Sequence, residues 1–130
     1  MIVEIKRTAD DLSDEDYRLT LAGVAEICRR LGWEFRIVFA SEIFVNRHHR
    51  ANVELFSSRR FATVTPQALR RLELYALRNG QTTTYGDLAA TLRPDWEVAG
   101  KAVIQALQVR RRIEIDLTRP VHDDTTVVIL

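Results

Sequence analysis

Residues 2–39 change their periodicity twice, with almost no chain between the changes, and this limits the topologies open to the protein. IVEIKR at residues 2–7 is a short apolar run of strand character, expected to be largely buried. A helix is expected next, with Ser13 as N-cap and Asp14, Glu15 and Asp16 in the first turn, where acids complement the helix dipole. Its apolar positions Tyr17, Leu21, Val24, Cys28 and Leu31 lie on one face, and Gly32 follows Arg29 and Arg30 at the stop position. In WEFRIVFASEI, Phe35, Ile37 and Phe39 alternate with Arg36, Val38 and Ala40, the pattern of a strand. Strand, helix and strand joined so tightly form a βαβ unit, with parallel strands and a right-handed crossover.

The rest of the chain reads as mostly helical before a final strand pair. Ser41–His49 is expected to be a loop or short helix, and Arg50–Arg60 another helix. Thr65-Pro66 is a helix start, with Leu69, Leu72 and Ala76 on its apolar face and Asn79-Gly80 at its end. Gln81–Thr84 is a short extended link, after which Thr84 caps a brief helix to about Leu92. Asp95 is expected to cap a third helix, with Trp96, Gly100, Val103 and Leu107 facing one way and Glu97, Lys101, Gln105 and Gln108 another. IEIDL and TTVVIL are strand-like runs joined by TRPVHDD. Three helices and a terminal hairpin in this order make a winged helix-turn-helix. The expected fold class is therefore α/β, with a partial βαβ region over 1–62 and a winged-helix domain over 63–130.

Composition adds limits rather than direction. Nineteen Lys and Arg face 18 acids over 130 residues, so net charge neither demands nor excludes nucleic acid. Cys28 is the only cysteine, which precludes an intrachain disulfide, and its helical apolar setting suggests a buried thiol. The N-terminus lacks the apolar core of a signal peptide, and no run is long enough to span a membrane. A cytoplasmic protein without membrane contact is expected.

Two constellations can carry chemistry. On a strand, Glu4 and Lys6 point to the same side. In a nuclease such a Glu binds Mg²⁺ through a hard oxygen, and the Lys stabilises an attacking hydroxide or developing phosphorane charge. The plainer reading is an edge ion pair worth about 0–1 kcal/mol. In the third helix Lys101, Gln105 and Gln108 are expected to reach base edges or phosphates of double-stranded DNA. Arg110, Arg111 and Arg112 would meet phosphates beside the wing, with Arg119 at its tip. The acids Asp116, Asp123 and Asp124 near the wing favour the alternative, a module that contacts only protein. His48, His49 and His122 read as surface or ordinary structural histidines, because no Cys or acid is spaced to complete a zinc site. No phosphate-binding glycine loop and no nucleophile motif is present.

The order of an E-x-K strand, a helix, GWEFRIVFASEI, RANVELF and a winged helix ending RRRIEIDLTRPVHDDTTVVIL resembles the C-terminal half of TnsA-like transposon endonucleases. These belong to the PD-(D/E)xK restriction-endonuclease superfamily. The likeness runs over essentially the whole chain in layout and short stretches, including the Gly-Trp-x-Phe strand start, Ser-Glu-Ile and Asn52. It implies a restriction-endonuclease-like unit, Mg²⁺-dependent nicking of 5′ ends, and action beside a transposase-type partner protein. Glu4 and Lys6 match the last pair of the family's site, with Glu4 the only metal ligand among them. The family's early Glu and its Asp have no matching positions here. The expectation is a DNA-binding protein, associated with a transposon or phage, that does not cut DNA efficiently by itself. A subunit completed by a second chain and a non-catalytic interaction module are the alternatives. A homodimer is expected, because a two-stranded sheet leaves open edges.

Overall fold

The computed structural model describes residues 1–130, a mixed α/β chain that divides into two compact units, Met1–Val45 and Asn46–Leu130. In the first unit, β1 (Ile2–Lys6), α1 (Glu15–Arg30) and β2 (Phe35–Phe39) realise the strand–helix–strand pattern. The strands are parallel, with Ile2 opposite Phe35, Glu4 opposite Ile37 and Lys6 opposite Phe39. A 3-10 turn at Ala9–Leu12 precedes α1, so the cap falls on Asp14 rather than Ser13; its carboxylate accepts from the Tyr17 N–H at 3.1 Å. Gly32 ends the helix with φ 71°, while the Gly32 and Trp33 N–H groups bond back to the Arg29 and Cys28 carbonyls. That pair of bonds is a Schellman stop, which favours glycine at the left-handed position.

Leu21 and Cys28 are buried under α1, as its periodicity predicts, whereas Leu31 is exposed. β1 is less buried than its composition suggests: the sheet has only two strands, and Ile5 is 61% exposed. β2 stops at Phe39, earlier than the apolar run implies. The Glu42 carboxylate captures the Phe39 N–H at 2.8 Å and starts a single helical turn, α2 (Ala40–Ile43).

The second unit begins with α3 (Arg47–Ser58), capped by Asn46, whose side chain accepts from the His49 N–H at 2.9 Å. This helix starts before the expected Arg50. It also belongs to the following unit rather than the preceding one, because Phe56 lies in the same core as Leu72, Leu88, Ile104, Ile113 and Val127. The units therefore divide between Val45 and Asn46, not at residues 62–63. Next come α4 (Pro66–Asn79), β3 (Thr82–Thr84), α5 (Tyr85–Leu92), α6 (Glu97–Val109), β4 (Ile113–Ile115) and β5 (Thr126–Ile129). Thr65 and Thr84 cap α4 and α5 as expected. The strands form one antiparallel sheet in the order β3-β5-β4.

Two close fits fix this unit. A Cβ at Gly100 of α6 would meet the Ala89 carbonyl oxygen of α5 at 2.3 Å, so glycine there lets the two helices touch. From α3, Asn52 Nδ2 donates to the Leu117 and Arg119 carbonyls at 2.9 and 2.7 Å, and Asn46 Nδ2 donates to the Thr118 carbonyl at 2.9 Å. These three bonds tie the β4–β5 connection to α3. No helix of the protein is long and apolar enough to cross a membrane.

Candidate functional site

Glu4 and Lys6 share one face of β1, as strand alternation requires, and their heads meet: Lys6 Nζ lies 2.8 Å from Glu4 Oε1. Tyr17, in the first turn of α1, completes the cluster. Its hydroxyl donates to Glu4 Oε1 at 2.7 Å and accepts from Lys6 Nζ, which also lies 4.2 Å from the ring centroid. The Lys6 hydrogen bond, then that of Tyr17, holds the Glu4 carboxyl below the usual carboxylate range. Glu4 and then Tyr17 in turn raise the Lys6 ammonium. The helical spacing marks Tyr17 only as an apolar position. Its role follows from the crossover, which brings the start of α1 over the end of β1 where Lys6 stands.

A Mg²⁺ site does not fit these residues. Glu4 contributes a single carboxylate, and its Oε1 is already bound by an ammonium and a hydroxyl. No group of three or more His, Cys, Asp or Glu side chains is placed to hold a metal ion. The three residues instead form a self-satisfied polar cluster.

The second unit separates the residues that sequence grouped as one DNA-reading face. Gln105 is only 8% exposed and donates through Nε2 to the Tyr85 hydroxyl at 2.9 Å. Gln108 is half-buried, with its Oε1 sheltered and without a hydrogen-bond partner. Val103 to Leu107 are consecutive buried residues, so α6 is enclosed on all sides there, and α3 is one of the elements packed on it. Lys101 is held between Asp123 Oδ1 at 2.8 Å and Glu97 Oε1 at 2.9 Å. Asp123, then Glu97, drives its pKa upward. Two flanking carboxylates repel the phosphate that Lys101 was expected to meet. Trp96, placed by the helical spacing on one face with Gly100, Val103 and Leu107, is 60% exposed and takes the N-cap position that Asp95 was expected to fill; Asp95 pairs with Arg93 instead.

The arginines are placed differently. Arg110, Arg111 and Arg112 form the exposed C-terminal end of α6, and none has a carboxylate within 4.0 Å. Arg110 Nη2 donates to the Ala62 carbonyl at 3.1 Å. Arg111 has φ 55°, the only non-glycine residue with positive φ. Its N–H and that of Arg112 bond back to the Gln108 and Leu107 carbonyls, a second Schellman stop with arginine where glycine is favoured. Arg119 is exposed on the β4–β5 connection, 3.6 Å from Asp116.

No protein-family model matches this chain, and no match was found among curated proteins or among solved structures.

Proposed function

We propose that the protein binds DNA and descends from TnsA-like endonucleases of mobile elements, with a partial restriction-endonuclease-like βαβ unit followed by a winged helix-turn-helix. The observation that carries the binding is the run Arg110–Arg112 at the end of α6: exposed, unneutralised by carboxylates, and including one arginine in the left-handed region. A non-glycine residue in that conformation costs about 1–2 kcal/mol. A cation kept there provides charge at the surface, where phosphates can reach it. The succession α4, β3, α5, α6, β4, β5, closing into one sheet, supports the winged-helix reading. With Gln105 buried and Lys101 paired, the contacts fall on phosphates rather than base edges, so binding is strongly salt-dependent and weakly sequence-selective.

A second reading has its own observation. Glu4 and Lys6 stand side by side on a parallel βαβ strand, and β1 has one unpaired edge on which further strands could dock. In that reading the protein is a subunit of a Mg²⁺-dependent endonuclease completed by another chain, acting beside a transposase-type partner or as a homodimer.

Gel shift and plasmid nicking, with and without Mg²⁺, test both readings, with Lys6→Ala alongside. A shifted but uncut plasmid is the result expected for the first reading. Metal-dependent nicking abolished by Lys6→Ala would favour the second. Absence of any shift at low salt would refute DNA binding and leave a protein-interaction module.

A further inference from the structure

The arginine run has neighbours that sequence did not connect to it. The bond from Arg110 to the Ala62 carbonyl fastens the end of α6 to the segment just after α3, which carries Arg59, Arg60 and Phe61. Arg59 and Arg60 are exposed, and neither has a carboxylate within 4.0 Å. Phe61 is 81% exposed, and the Arg60 guanidinium lies 4.5 Å from its ring centroid. An exposed phenylalanine gains nothing from burial, so packing in the core does not account for it. Glu114 is the nearest acid along the chain to Arg112, and it makes no ion pair.

A large aromatic ring with one face against a guanidinium and the rest open, on a segment fastened to an α6 end that carries further unpaired arginines, is the chemistry that holds an unstacked base beside its phosphates. Duplex DNA keeps its bases stacked and offers such a ring nothing to pair with, whereas a single strand offers the face of every base. We infer that Arg59, Arg60, Phe61, Arg110, Arg111 and Arg112 form a binding surface for single-stranded DNA, with Phe61 as the stacking platform. This rests on the DNA-binding reading above and adds the form of DNA the surface prefers.

Fluorescence anisotropy of the full chain, with labelled oligothymidylate of about 20 nucleotides and a duplex of the same length, tests it. The single strand is expected to bind more tightly than the duplex. Phe61→Ala is expected to weaken the single strand roughly five- to 150-fold, at one stacked base, and to leave the duplex unchanged. Phe61→Trp is expected to retain the affinity, and Arg59→Ala/Arg111→Ala to weaken both forms. Phe61 is exposed, so these variants should fold; a thermal melt of each verifies it. If both forms bind and depend on the arginines but ignore Phe61→Ala, stacking is refuted and the arginine reading stands. Equal loss on both forms in Phe61→Ala would also refute stacking. If neither form binds, both readings fail.

Discussion

Replacing Arg111 by glycine sets stability against binding, and the backbone geometry supplies the magnitude of the first. Arg111 has φ 55° at the stop of α6. Releasing an L-residue from that region is worth about 1–2 kcal/mol, since glycine populates it freely. Glycine also gains freedom in the unfolded chain, which costs about 0.5–1 kcal/mol. The difference leaves Arg111→Gly more stable by roughly 0.5–1 kcal/mol, a rise in Tm of about 2–8 °C for a unit of this size. Arg111→Ala keeps the strained backbone and loses the same charge, so its Tm is expected to stay near that of the parent. Both substitutions remove the same positive charge, so under the proposed DNA-binding reading both are expected to weaken duplex binding similarly. Circular-dichroism melts and anisotropy of the two variants separate the terms. A Tm that falls in Arg111→Gly would refute the backbone argument. Unchanged DNA affinity in both variants would refute the reason given for an arginine there.

Three further outcomes follow from particular contacts. Gly100→Ala drives a methyl group into the backbone of α5, where the Ala89 oxygen stands 2.3 Å from the new Cβ, and overpacking of this kind costs about 1–3 kcal/mol; Gly23→Ala on α1, where nothing lies within 4 Å, is expected to be neutral or slightly stabilising, and equal melting effects would contradict the close fit. Asn52→Ala removes two hydrogen bonds to the β4–β5 connection at about 0.5–1.5 kcal/mol each, and Asn52→Asp, which sets a carboxylate against two carbonyls, is expected to be worse; an Asp variant as stable as the Ala variant in denaturant titration would refute the donor assignment. Because Lys6 and then Tyr17 depress the Glu4 pKa, the stability this carboxylate contributes is present above its unfolded pKa of about 4.3 and is lost as pH falls through the lower folded value. Tyr17→Phe is expected to move the Glu4 carboxyl titration upward by NMR, and an unchanged midpoint would break the proposed cluster.

The sequence was most informative where a local rule decides the outcome. Thr65-Pro66, Thr84, Gly32 and Gly80 mark helix ends because caps and stops depend on one or two residues. The parallel pairing of β1 and β2 followed from short connections alone, as did the shared face of Glu4 and Lys6. Side-chain destinations set by distant partners were not legible. Gln105 looks like a surface residue on a helical wheel until Tyr85, 20 positions earlier, brings its hydroxyl against it. Lys101 looks available until the β4–β5 connection delivers Asp123. α3 could be assigned to either unit, because its apolar residues state only that something must cover them; Phe56 in the second core decides it. The surface around Phe61 has the same cause, since only the Arg110–Ala62 bond reveals that residues 59–62 and 110–112 are neighbours.

The salt dependence of duplex binding tests the central claim most directly. For the parent chain, the logarithm of the affinity should fall linearly with the logarithm of salt concentration, with a slope of about −0.9 for each phosphate contacted. Arg111→Ala/Arg112→Ala should make that slope shallower by about 1.8, corresponding to two lost contacts. A duplex affinity indifferent to salt, or a slope unaltered by the double substitution, would contradict the assignment of DNA binding to the end of α6.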